Sequence, residues 1–193
     1  MAFRRGLVVL ASAVLLSGSL VGPASAGDGV DGAEAHCVQE AASVGDSVDH
    51  PAVCFDTYAG SVAFLTGGAV ELPADTRAAD VSTEQWEQIE AAAAARSTFL
   101  LSIEYMDTSY GGSSRSFFGA TDCNAADYAV SSMPAGWNNV IGSSQAFSSC
   151  FTTHYDLTGA TPSGGPGGAN YICAGSCASL GALNDATSSM RWF

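Results

Sequence analysis

Lysine does not occur in this chain, and arginine occurs only six times. Two of the six, Arg4 and Arg5, stand before the first apolar run. The remainder of the chain therefore sets Arg77, Arg96, Arg115 and Arg191 against all 19 carboxylates. Such a balance repels nucleic acid and anionic lipid, suits cations or basic protein surfaces, and keeps an acidic protein soluble through self-repulsion. The lack of lysine excludes Schiff-base chemistry and the phosphate-loop lysine. There is no GxSxG elbow, no HExxH helix and no GxxxxGK[ST] loop. Histidine is scarce: His36 adjoins a cysteine, His50 precedes a proline, and His154 sits beside Tyr155 in a strand-like run. No CxxC pair occurs and the three histidines show no ligand spacing, which removes zinc. Long apolar runs are missing too. The longest, Leu7 to Leu16, is short of the roughly 20 residues that span a bilayer as a helix. Paired carboxylates are the one acid–base arrangement left open, and the chain reads as a non-enzyme.

What is present begins with an export signal. Arg4 and Arg5 form a positive n-region, LVVLASAVLL (7–16) the apolar core, and Ala24-Ser25-Ala26 a small-residue cleavage site before Gly27. Residues 1–26 are expected to be removed, leaving a secreted, extracellular protein that is free of the membrane. All six cysteines follow the cleavage site, which in an exported chain implies three disulfides. Cys37 and Cys54 stand alone in the N-terminal part and pair there. For the other four, Cys123–Cys150 with Cys173–Cys177 is the most local of the possible solutions.

Residues 27–97 read as a helical, disulfide-tied extension or a propeptide-like segment, with 27–50 a loose leader except at Cys37. Phe55, Tyr58, Val62 and Leu65 repeat at helical spacing over 54–65, and Gly67-Gly68 ends that helix. Ala69 to Leu72 reads as a short strand turn stopped by Pro73. A second helix starts at the Ser82–Gln85 capping box and runs through Ala91–Ala95 to Arg96. This alanine-rich helix is a candidate cover for an open sheet edge. From Phe99 the chain turns to Gly, Ser, Thr and aromatics. Phe99 to Tyr105 is a convincing strand. Phe117-Phe118, Trp137 to Ile141 and Phe151 to Tyr155 are weaker ones, and Gly111-Gly112, Pro134 to Gly136 and 163–168 are loops. The spacing predicts a mainly β, antiparallel domain over 98–193.

Within that domain DYAVSSM (127–133) aligns without a gap with NDATSSM (184–190), each followed by a tryptophan, Trp137 and Trp192. Upstream of each lies an aromatic strand entering a small-residue turn, 103–114 and 153–165. Two units of this size must pack together to bury an apolar face. These residues resemble the βγ-crystallin-like proteins, in which two Greek-key motifs form one sandwich. Tyr105, Tyr110 and Gly112 match the hairpin signature aromatic-x4-aromatic-x-Gly. Asn184, Asp185, Ser188 and Ser189 match the calcium signature Asn/Asp-Asn/Asp-x-x-Ser/Thr-Ser. Asp127, Ser131 and Ser132 fit the same signature, with Tyr128 at the second acidic position.

The resemblance implies calcium sites in which the hydroxyl of one motif and the acidic residue of the other share an ion. One site would use Ser131 and Asp185 with carbonyls near Ala129 and Ala186. The other would use Ser188 opposite Tyr128 and so be crippled. A related group of small secreted bacterial metalloprotease inhibitors shares the crystallin-like fold. Against that pattern, Ala174-Gly175-Ser176 inside the Cys173–Cys177 ring is a candidate inhibitory loop, and an extracellular metalloprotease the candidate partner. The domain reads as a monomer.

Overall fold

The computed structural model describes residues 34–46, 50–159 and 170–193; the expected export signal over 1–26 and the expected 163–168 loop lie outside them. In chain order the regular elements are β1 (His36–Glu40), β2 (Ala42–Ser43), β3 (Val53–Phe55), α1 (Tyr58–Thr66) and α2 (Thr83–Ala94). There follow β4 (Phe99–Tyr105), β5 (Ser114–Gly119), β6 (Tyr128–Val130), β7 (Ser143–Ala146), β8 (Thr152–Tyr155), β9 (Asn170–Cys173), β10 (Ser176–Cys177) and β11 (Ser189–Trp192).

Two sheets pack face to face. The first has the order β10-β7-β4-β5-β1-β3 and the second β2-β6-β11-β8-β9. Strands β4 to β7 are one four-strand motif and β8 to β11 another, and each gives its third strand to the other's sheet. β6 pairs with β11, and β10 pairs with β7. This exchange interlocks the two Greek keys. Between the sheets lie Leu101, Phe117, Tyr128, Met133, Trp137, Ile141, Met190 and Trp192, all buried.

The first sheet is buried on both faces, which explains the nearly continuous apolar run of β4. Leu100, Ile103 and Tyr105 point away from the second sheet and pack under the helices with Tyr58, Val62, Leu65, Trp86, Ile89 and Ala93. A bulge between Leu100 and Ser102 lets Leu101 and Ser102 both face inward before the alternation resumes. The helices therefore form a third layer.

Both helices have the caps their sequences announce. Ser82 and Gln85 exchange the two bonds of a capping box at the start of α2. Gly67, at φ 65°, closes α1 in the left-handed conformation that glycine adopts without strain. The helix expected over 54–65 begins later, at Tyr58, because β3 occupies Val53–Phe55. Ala69 to Leu72 and Trp137 to Ile141 form bends and turns in place of the strands expected there.

The larger difference lies in the leader. β1 runs parallel to β5 from His36↔Ser114 to Glu40↔Phe118 and antiparallel to β3, and β2 adds to β6 at the edge of the other sheet. Residues 34–46 are thus built into both sheets. The α2 helix lies against the face of β4, and the edge it was expected to cover is extended by β1 and β3. All six cysteines are bridged: Cys37–Cys54 joins β1 to β3, Cys123–Cys150 ties the segment before β6 to the linker between motifs, and Cys173–Cys177 clamps the crossover from β9 to β10. Among the described residues no helix is long and apolar enough to cross a membrane.

Candidate functional site

Three pairs of bonds define which residues the internal symmetry makes equivalent. The amide of Gly142 donates to the carbonyl of Tyr105 (2.9 Å), and that of Ser188 to Tyr155 (2.7 Å). The hydroxyl of Ser143 donates to the carbonyl of Asp107, and that of Ser189 to Leu157. Across the two-fold, the amide of Asn139 donates to Thr187 (2.9 Å) and that of Asp185 to Ile141 (3.0 Å). Asn139 and Asp185 both take the left-handed conformation, at φ 60° and 55°.

The true counterpart of NDATSS (184–189) is therefore Asn138-Asn139-Val140-Ile141-Gly142-Ser143, which leads into β7 as NDATSS leads into β11. DYAVSS instead starts at the third strand, β6, and lies beside β11 with Ala129 opposite Arg191. The repeat read from the letters SSM joins neighbours rather than symmetry mates. The signal that could have found the mate was present: an Asn-Asn pair followed by Ser143-Ser144. It was masked by glycine at the hydroxyl position.

The residues assigned to calcium from sequence separate accordingly. Asp127 is partly exposed and paired with Arg191. The Ser131 carbonyl accepts from Gly159, and Ala129 pairs within the sheet. Asn184 turns its side-chain oxygen onto the amide of Leu180 (2.7 Å), and the Ala186 amide donates to Leu183. Ser188 is different. Its hydroxyl donates to Asn139 Oδ1 at 3.0 Å, so the serine of one motif meets the amide oxygen of the other. The mirror-image place has Asp185 but Gly142 in place of the serine. There a Cβ would lie 2.7 Å from the Asp107 carbonyl carbon and 2.8 Å from both Met106 O and Thr108 N.

The Asn139–Ser188 pair can be tested for fit to a hard cation. Two oxygens 3.0 Å apart can both reach one calcium ion at its usual 2.3–2.6 Å, and amides, hydroxyls and carbonyls are ligands it accepts. Close by, Asp156 follows the Tyr155 carbonyl that Ser188 holds, and its Oδ1 is buried with no hydrogen-bond partner. No group of three or more His, Cys, Asp or Glu side chains that could hold a metal occurs among the described residues. The donor set is thus mostly neutral oxygen, which suits a weak calcium site and no transition metal.

The histidines complete the inventory. His154 Nε2 lies 2.9 Å from Glu104 Oε2 between the sheets, both fully buried. The hydroxyls of Ser102 (2.6 Å) and Ser144 (3.1 Å) donate to Glu104, and Trp192 Nε1 donates to Ser102. Serine, histidine and carboxylate meet here, yet both serines bond to the acid rather than the base. His36 Nδ1 contacts Ser114 Oγ at 2.9 Å, and His50 lies 3.6 Å from Glu40. Tyr105 donates to Gln145, and burial pushes its phenol well above the usual range. The Cys173–Cys177 ring is anchored at its centre, because the Gly175 carbonyl accepts from Ala146 (2.8 Å); Ala174 and Ser176 are exposed.

No family model matches this sequence, and no curated protein matches it significantly. Two solved structures are similar to part of it. A βγ-crystallin domain from Clostridium beijerinckii is 20% identical, with 48% of this chain and 97% of that one covered at a TM-score of 0.36. The N-terminal domain of Protein S is 16% identical, with 48% and 94% covered at a TM-score of 0.33. By its own strand exchange and paired loops, the segment from β4 to β11 folds as a βγ-crystallin-like pair of Greek keys.

Proposed function

We propose that this is an exported, non-catalytic protein whose β-sandwich binds calcium weakly at the Asn139–Ser188 loop pair. The observation that carries the reading is the 3.0 Å approach of Ser188 Oγ to Asn139 Oδ1 across the two motifs. The ion would be held by those two oxygens and by loop carbonyls, and it would tie the motifs together where Ser188 already bonds to Asn139. The calcium set read from sequence is reassigned: Ser188 stays, Asn139 takes the place of Asp185, and Asp127, Ala129 and Ser131 drop out. Export is supported by the three disulfides, which persist in oxidising compartments. Absence of catalysis is supported by the buried wiring of Glu104, Ser102 and Ser144. The protease-inhibitor reading draws less support, since Gly175 is bonded into the sheet edge.

A ligand that binds only the folded state stabilises it by mass action. Millimolar calcium is expected to raise the melting temperature of the full chain over its value in EDTA, by about 3–6 °C at tenfold the Kd. Ser188→Ala and Asn139→Ala are expected to remove that rise, and Asp185→Ala to keep it. A wild-type melt that calcium leaves unmoved sinks the reading.

A further inference from the structure

We infer that Asp156 is the charged ligand of this cation site, at a position no motif marks; the inference rests on the calcium reading above. Side chains alternate along β8, and His154 points to the opposite sheet, where it meets Glu104. Two residues on, Asp156 continues that inward side just past the strand end. Its neighbour Tyr155 is held through its carbonyl by the Ser188 amide, so Asp156 starts beside the hydroxyl that meets Asn139.

The symmetry mate of Asp156 is Met106, which packs against the core between the sheets. The place is therefore one that an apolar side chain fills. In the second motif it holds a carboxylate whose Oδ1 is buried without a hydrogen-bond partner. Thr187, beside Ser188, repeats the contrast: its hydroxyl is buried and unpartnered, whereas its mate is the fully buried Ile141. A buried carboxylate oxygen without a donor is unfavourable unless a cation meets it. Asn139 and Ser188 contribute no charge, and calcium affinity follows the number of charged ligands. Asp156 supplies one, which places the site in the weak range of extracellular modules, about 0.1–1 mM. Around Asp185 the mates of these groups are Gly142 and Met106, so the chain holds one ion rather than two.

Calorimetric titration of the full chain with calcium chloride, and thermal melts in EDTA, test this. Wild type is expected to bind a single calcium ion. Asp156→Asn is expected to weaken binding about tenfold or more, while its melting temperature in EDTA equals or exceeds that of wild type. Asp156→Met, which copies the side chain used in the first motif, is the second variant should the amide impair folding. Wild-type affinity in either folded variant overturns the role of Asp156 and leaves the calcium reading standing. A wild type that takes up no calcium overturns both.

Discussion

At Gly142 one missing side chain decides the fate of half the symmetric design. The hairpin backbone from Met106 to Thr108 occupies the volume where a Cβ would stand, and Ser143 and Tyr110 fasten that hairpin in place. On the calcium reading, Gly142→Ser therefore does not create a second ion site, because the serine Cβ has no room. It is expected to destabilise the protein by about 1–3 kcal/mol in denaturant unfolding, with calcium stoichiometry unchanged. A serine variant of wild-type stability that binds a second ion would contradict this account. His36 offers a different handle. Burial, partly offset by Glu34, holds its imidazole below the ordinary 6.5. As pH falls through 6.5 the unfolded chain takes up a proton that the folded chain still refuses. Stability is then complete above that pH and declines as pH drops towards the folded value. The loss of melting temperature between about pH 7.5 and about pH 5.5 is expected to be smaller in His36→Gln than in wild type. Equal losses would show that His36 contributes nothing to the acid sensitivity.

At the scale of elements, legibility followed how much of an element's stability is local. The α2 helix was plain because Ser82 and Gln85 cap it with their own side chains. The β4 strand was plain because seven residues in a row are apolar or buried. The β1 strand gave no such sign. His-Cys-Val-Gln-Glu shows neither alternation nor an apolar run, and its strand character comes from β5 and β3 on either side. β2 and β10, of two residues each, are strands only by virtue of their partners. The equivalence of the two paired loops was hidden for another reason. It is carried by backbone bonds and by left-handed φ at Asn139 and Asp185, which leave a weak mark on residue identity. The shared SSM letters that follow β6 and lead into β11 offered a stronger but false match. The disulfides were legible, since they join the six cysteines two by two in chain order.

For the whole molecule, the helices and the first three strands complete the fold rather than decorate it. Without them Leu100 and Ile103, each about 1% exposed, would face water. Two such side chains account for about 3–6 kcal/mol, a large part of the 5–15 kcal/mol that holds a typical domain folded. A chain starting at Thr98 is expected to be insoluble or to unfold without cooperativity. The protein recovered from outside the cells is expected to start near Gly27. A soluble, cooperatively folding product that starts near Thr98 would return residues 27–97 to the status of a propeptide.

The parallel pairing of β1 with β5 also sets an order of events during folding. His36 and its partner Ser114 are 78 residues apart, whereas Cys37 and Cys54 are separated by only 17. The β1–β3 pair and its disulfide can therefore close early, as a local loop. The place of β1 between β5 and β3 has to wait for the β4–β5 hairpin to exist. Closure over so long a span is a slow step for a two-sheet protein. The first of the described strands to be made is among the last to find its place.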